Sequence, residues 1–181
     1  MIKRKTYIEV KKKSAALIDK AGLDFTAEEK NKIDVADFGL SDIYKEGVQI
    51  LTFFDTDRIA GKLLILLSGQ TEPEHWHPAI GNNPGKQEII RALWGELRFY
   101  IPGVNNMRIG FIPEGQESNF TVRHEIIMKP GDQLVLEPGT KHWFQAGPEG
   151  ALLYSFSTTV CDIKDGFTDP KIVRSTVIEE D

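Results

Sequence analysis

Apolar and polar positions divide the chain near residue 39. Up to Gly39 the pattern is helical: Leu17 and Lys20 close a first short helix that Gly22 stops. Thr26-Ala27-Glu28-Glu29 is a capping box, in which threonine hydroxyl and glutamate carboxylate satisfy each other's backbone N–H groups, so a second helix opens there. Its predicted apolar face is Ile33 with Val35, Ala36 and Phe38. Both helices are expected on the outside of a sheet. From Val48 the chain changes to short β-rich runs, at 48–54, 61–67, 73–79, 87–93, 96–101, 121–128, 133–136, 142–146 and 151–157. Turn signals separate them at Trp94-Gly95, Pro102-Gly103, Pro130-Gly131, Pro138-Gly139 and Gly147-Pro148. Many short strands at regular spacing, with no helix-length pattern between them, predict an all-β antiparallel sandwich or barrel and argue against a βαβ sheet. The segment Pro102 to Phe120, rich in Asn, Gly, Pro and Glu, reads as a long loop or mobile hairpin, and Asp165 to Pro170 begins a tail. The predicted organisation is one domain over 1–181, with a helical extension at 1–39, a barrel at 48–157 and a tail at 158–181.

Composition narrows the partners. Hydrophobic residues make up 40% of the 181 positions and aromatics 9%, which is ample for a buried core. The net charge of −5, with both signs interspersed, lacks the basic face that a nucleic-acid surface needs, and a neutral polar small molecule fits better. The lysine run Lys11 to Lys13 reads as a solvated helix face. Cys161 is the single cysteine, so no internal disulfide can form, a reducing compartment is expected, and with no paired histidine the thiol reads as inert. The basic start has no apolar signal core. The longest aliphatic run, Leu63 to Leu67, falls far short of the roughly 20 residues that span a bilayer, so a cytoplasmic protein is expected.

The chemistry gathers around four histidines, His75, His77, His124 and His142. Side chains two apart on a strand share a face, so His75 and His77 can reach one ion, and Glu88 and His142 are further ligand candidates. His124 has no partner at ligand spacing and reads as a strand-surface or loop residue.

The spacing resembles a family pattern. Gly69 is followed by five residues and then His75-Trp76-His77, Glu88 by six residues and then Gly95, and Gly131 by five residues and then Glu137-Pro138-Gly139-Thr140-Lys141-His142. This is similar to the two motifs of the cupins, G-x5-H-x-H-x3/4-E-x6-G and G-x5-P-x-G-x2-H-x3-N. It departs from them in the ten residues between His77 and Glu88, in Glu137 where the motif has proline, and in Ala146 where it has asparagine. The insertion Pro78 to Gln87 would be a natural substrate-facing loop. PEHWHP, GKQE, LWGELRFY, PGTKHWFQAGPEG and FTDPKIVR resemble the short bacterial D-lyxose isomerases, over about Ala21 to Arg174. That resemblance implies a cupin barrel (a double-stranded β-helix or jelly roll), often a homodimer. It implies interconversion of D-lyxose and D-xylulose, with D-mannose as a secondary sugar. It also implies His75, His77, Glu88 and His142 as ligands of a divalent ion, typically manganese, with Fe²⁺, Co²⁺ or Zn²⁺ as other occupants. One departure matters: the relatives carry a glutamate on the last barrel strand, and Ser155 takes that place here.

The donor set supports this chemistry on its own terms. Three imidazoles and a carboxylate would complete a tetrahedral zinc shell, whereas an ion preferring six ligands, such as Mn²⁺ or Fe²⁺, keeps two adjacent positions open. Those match the vicinal oxygens of a sugar's C1-C2 unit, where chelation would stabilise the charge that develops as the C2 proton leaves. Lys86 is the first candidate to carry that proton, because it shares the inward face of Glu88 two residues on; a solvent-facing loop lysine is the alternative. Glu74, Glu137 and Glu88 itself are weaker candidates. Trp143 is either a packing residue or a wall of the sugar pocket, while Trp76 and Trp94 read as packing. Asp162 and Asp165 either hydrogen-bond sugar hydroxyls or form a solvated turn. Two other readings stay open, a cupin dioxygenase and a non-catalytic sugar-binding cupin, since one barrel hosts many activities.

Overall fold

The computed structural model describes residues 1–158 and 162–180. In chain order the elements are β1 (Ile2–Lys3), α1 (Arg4–Lys20), α2 (Ala27–Asn31), β2 (Asp34–Ala36), β3 (Val48–Asp55), β4 (Ile59–Leu66), β5 (Thr71–Trp76), β6 (Glu88–Ile101), β7 (His124–Met128), β8 (Gln133–Leu136) and β9 (His142–Thr158). A short 3₁₀ turn, Asp162–Lys164, then precedes β10 (Gly166–Phe167) and β11 (Ile178–Glu179). The antiparallel barrel expected from the strand spacing is present as a curled nine-stranded sheet with a helix on its outside.

The N-terminal helix is longer than its sequence pattern suggested. α1 runs for 17 residues and buries Val10, Ser14 and Ile18, one residue per turn, on a single stripe. Ile18 packs with Leu51, Leu63, Ile65 and Leu152 on the outer side of the sheet. The capping box at Thr26 and Glu29 forms as expected, yet α2 has only five residues. Ile33, Val35, Ala36 and Phe38 are buried as expected, but Val35 and Ala36 lie in β2, paired with β3, rather than on a helical face. β-branched Ile33 and Val35 fit a pleated surface better than a helix, which explains the early stop.

Two long strands carry the barrel. The runs at 87–93 and 96–101 are one strand, β6, and those at 142–146 and 151–157 are one strand, β9. The expected turns at Trp94-Gly95 and Gly147-Pro148 are irregularities within them. The β6–β9 register slips between Ala92 and Trp94 and again between Gly95 and Leu97. Such bulges bend a strand and increase its twist, so β6 and β9 fold over and serve both sides of the barrel. Gly95 sits at φ 76°, and a Cβ there would press into the Gly150 carbonyl oxygen, so the crossing demands glycine. The first half of β9 pairs with β5 and the second with β4. Phe99, Phe144, Leu97, Leu153, Ile90 and Leu136 fill the space between.

The segment between β6 and β7 has no regular structure. The Glu125 carboxylate holds it, accepting the backbone N–H groups of Arg108, Ile109 and Gly110 and the Tyr100 hydroxyl.

Candidate active site

The site forms where β5, β9 and the start of β6 converge. His75 on β5 is the direct cross-strand partner of His142 on β9, and their rings lie 4.1 Å apart. His77, just past β5, completes the group at 5.5 Å from His75 and 5.1 Å from His142. One ligand atom from each of the three lies within 4.8 Å of the others. The Nδ1 of His75 faces the Pro73 carbonyl at 2.9 Å and that of His142 faces the Thr140 carbonyl at 2.8 Å. With Nδ1–H donating to those carbonyls, each Nε2 presents its lone pair inward, the tautomer a metal ligand needs. The Nε2 atoms of His77 and His142 are buried and have no hydrogen-bond partner among the described residues. A buried polar atom without a partner is costly, and a bound ion would satisfy both. Burial pushes the His77 imidazole down to about 3 despite Glu88 beside it, and lowers His75 and His142 as well, so all three stand neutral, the state that could hold a metal ion.

Glu88 opens β6 with its Oε2 3.5 Å from His77 Nε2. Its other oxygen accepts the hydroxyl of Ser155, so the serine orients this carboxylate. Burial alone would raise the Glu88 carboxyl, but the Lys86 ammonium and the neighbouring histidines bring it down to about 2.

Lys86 is half-buried and turned inward rather than solvent-facing, with its Nζ 3.4 Å from Asp162 and 3.9 Å from Glu88. Burial works against its charge, yet Glu88, Asp162, Asp165 and Glu72 outweigh that and hold it a cation. Asp162 receives three cations at once: Lys62 from β4, Lys86, and Arg174 at 3.5 Å. Burial opposes its charge, but those cations keep it well below the usual carboxylate range. Burial pushes the Asp165 carboxyl up to about 7.

Glu72 was not among the residues that the sequence pattern pointed to. Strict alternation along β5 would turn it away from His75, but the pairing with β9 slips between the two residues and brings both to the same recess. Its Oε1 stands 3.8 Å from His75 Nε2 and its Oε2 is buried without a partner among the described residues. Burial drives this carboxyl up to about 8, against the pull of Arg174. Lys62 and Arg174 were missed too. A lone lysine in the apolar strand IAGKLLIL was the available signal for Lys62.

Two recesses flank the histidines. The inner one is lined by Glu72, His75, Glu88, Ser155, Lys62, Asp162 and Arg174, with apolar walls of Ile50, Leu64, Phe144 and Phe167. The outer one is lined by His77, Pro78, Ile80, Asn83, Gly85 and Lys164. Lys86 and Asp165 border both.

Other candidates lie elsewhere. Trp143 does not wall either recess, because neighbours on a strand face opposite sides and His142 takes the inner one. The Trp143 ring is buried, stacked 3.6 Å from Tyr100, with its Nε1–H donating to the Val122 carbonyl. Glu74 faces away from His75 and accepts the backbone N–H of Val122 and the Thr168 hydroxyl, tying loop and tail to β5. Glu137 meets Gln87 at the surface, and His124 meets the Val104 carbonyl, outside the cluster. Cys161 lies outside the described residues.

Comparison with known proteins follows this geometry. A family model described as D-lyxose isomerase matches residues 20–181. The D-lyxose ketol-isomerase of Cohnella laeviribosi is 45% identical over 174 residues, covering 96% of this chain and 96% of that protein. The D-lyxose/D-mannose isomerase of Thermosediminibacter oceani is 44% identical over 181 residues, 99% of this chain and 100% of that protein. Among solved structures, the L-ribose isomerase of Cellulomonas parahominis with no ligand aligns at a TM-score of 0.78 and 16% identity over 98% of both chains. The same enzyme with L-ribose aligns at 0.75 and 16% identity, again over 98% of both. The structural likeness carries the fold, a cupin-type barrel.

Proposed function

The chain belongs to the D-lyxose isomerase family, and on that premise we propose that it is a metal-dependent aldose-ketose isomerase converting D-lyxose to D-xylulose. The observation that carries the reading is the clustering of three buried imidazoles, two of them with Nε2 atoms unpartnered among the described residues, beside a recess that His75 lines together with Glu72. The donor set fits a divalent ion held by His75, His77, His142 and Glu88, and the family resemblance implies Mn²⁺ ahead of Fe²⁺, Co²⁺ and Zn²⁺. Such an ion supplies Lewis acidity to the carbonyl end of the sugar.

The remaining steps belong to the protein. Glu72 takes the proton from C2 while Lys86 donates one to O1, which gives the enediol. Glu72, its proton exchanging with solvent, then delivers a proton to C1, and the O2 proton returns to Lys86, restoring both groups as the ketose forms. Burial raises the Glu72 carboxyl in the metal-free protein and a bound cation would lower it again, opposing effects that suit a group which both takes and gives a proton. Lys86 enters as a donor rather than a base, because its carboxylate neighbours keep it charged. Asp162 positions Lys86 instead of touching sugar. The carboxyl of Glu72 makes up for Ser155 standing where relatives carry glutamate, and this disfavours a purely sugar-binding role. D-mannose is the second sugar, as the name of the Thermosediminibacter relative suggests.

A homodimer remains part of the proposal, from the family resemblance alone. So does a cytoplasmic setting, supported by the lone cysteine; no helix among the described residues is long and apolar enough to cross a membrane. The test is an anaerobic assay with D-lyxose. The Mn²⁺-loaded protein should form ketose, the chelated protein should not, and His77→Ala should lose metal and activity together while the barrel stays folded. Stoichiometric metal in His77→Ala would contradict the ligand assignment.

A further inference from the structure

The ten residues between His77 and Glu88, the part of the chain that departs most from the family spacing, are not slack. Ile80 and Asn83 exchange both backbone hydrogen bonds, at 2.9 and 3.0 Å, so the insertion closes into a tight hairpin. The Asn83 side chain then accepts the Gly85 N–H. Gly85 sits at φ 104°, where a Cβ would run into the His77 carbonyl oxygen, so the returning chain is pressed against the residue that carries a ligand. This small hairpin forms one side of the outer recess, and Lys164 and Asp165 form the other.

The two recesses differ in what they leave free. In the inner one the charged ends are spoken for: Lys62, Lys86 and Arg174 meet Asp162, and Ser155 meets Glu88, so Glu72 alone faces the carbons that exchange protons. In the outer one the Lys164 ammonium and the Asp165 carboxyl make no side-chain hydrogen bond or close ion pair among the described residues, Asp165 meeting the Lys86 charge only at longer range, and the Asn83 amide keeps its N–H groups to donate. Ile80, 38% exposed, adds an apolar wall beside them. Free donors and acceptors beside one aliphatic wall match a polyol chain with its alternating hydroxyl and C–H faces.

We propose that the outer recess is the subsite for the sugar carbons remote from the carbonyl, and that Ile80 sets how well a sixth carbon is accepted. This rests on the isomerase reading of the same site. With C1 and C2 between the histidines and Glu72, carbons 3 to 5 leave past Lys86 and Asp165, which border both recesses, and a hexose places its extra CH₂OH against Ile80. D-lyxose and D-mannose differ by that group. The Ile80 side chain is therefore the structural basis for choosing between pentose and hexose.

The experiment compares Ile80→Ala and Ile80→Phe with the parent, taking the ratio of kcat/KM for D-mannose to that for D-lyxose. Discrimination over one carbon in an apolar contact spans about 10-fold to 200-fold, so Ile80→Ala should raise the ratio about tenfold and Ile80→Phe should lower it by a similar factor. A second readout needs no turnover: the Kd for D-arabitol divided by that for D-mannitol, measured calorimetrically on the metal-loaded protein, should rise in Ile80→Ala and fall in Ile80→Phe. Ratios within twofold of the parent in both variants would overturn the subsite. A parent that makes ketose from neither sugar would contradict the isomerase reading instead, and the polyol ratio would still decide the subsite.

Discussion

Glu72 and His75 share the inner face of the barrel although they lie three positions apart, because the pairing of β5 with β9 slips between them. The slip puts a buried carboxyl with one unpartnered oxygen 3.8 Å from a ligand imidazole. Glu72→Gln keeps the shape but cannot carry a proton. It should retain metal stoichiometry and fold while kcat falls by roughly 10²- to 10⁴-fold, the scale of general acid-base catalysis. A kcat within threefold of the parent would remove Glu72 from the proton path.

Asp162 is the meeting point of Lys62, Lys86 and Arg174. Asp162→Asn leaves three cations without their common partner, and breaking a part-buried ion pair of this kind should cost about 3 kcal/mol in chemical denaturation. An unchanged stability with a much raised KM would mean that Asp162 acts on sugar directly.

Glu46 gives a pH dependence away from the site. Burial, with Asp169 and Asp42 nearby, raises its carboxyl from 4.5 to about 7. The folded state therefore binds this proton more tightly than the unfolded state. The stability it contributes is fully present below pH 4.5 and is lost as pH rises through 7. At one pKa unit per 1.36 kcal/mol, the loss amounts to about 3 kcal/mol. Glu46→Gln should be more stable than the parent by that order at pH 8, with the gap closing near pH 4.5, in urea titrations of metal-free protein. A gap independent of pH would show that Glu46 is not ionising in this range.

The clustering of three histidines was legible because it depends on local spacing: His75 and His77 needed only strand alternation, and His142 needed the glycine-framed motif around it. Features that depend on where two distant segments meet were not. Glu72 required knowledge of the β5–β9 slip, which period-two reasoning cannot contain. Lys62 and Arg174 matter only because Asp162 falls between them. Trp143 could be read either as packing or as a pocket wall from its aromatic face alone, and strand alternation beside His142 decides for packing. The same logic explains the elements. The capping box at Thr26 is local and was found, whereas the continuity of β6 and β9 rests on bulges at Gly95 and its surroundings, where a turn and a bent strand use the same residues. The short α2 shows tertiary pairing with β3 overriding a helical start.

The central claim, that this protein moves a proton between C2 and C1 of an aldose, is tested most directly by incubating the Mn²⁺-loaded protein with D-lyxose in D₂O without oxygen and following the products by NMR. The account predicts D-xylulose carrying deuterium at C1, and far slower formation of that product by Glu72→Gln. D-xylulose formed at the parental rate by Glu72→Gln, or ketose with no deuterium at C1, would contradict it.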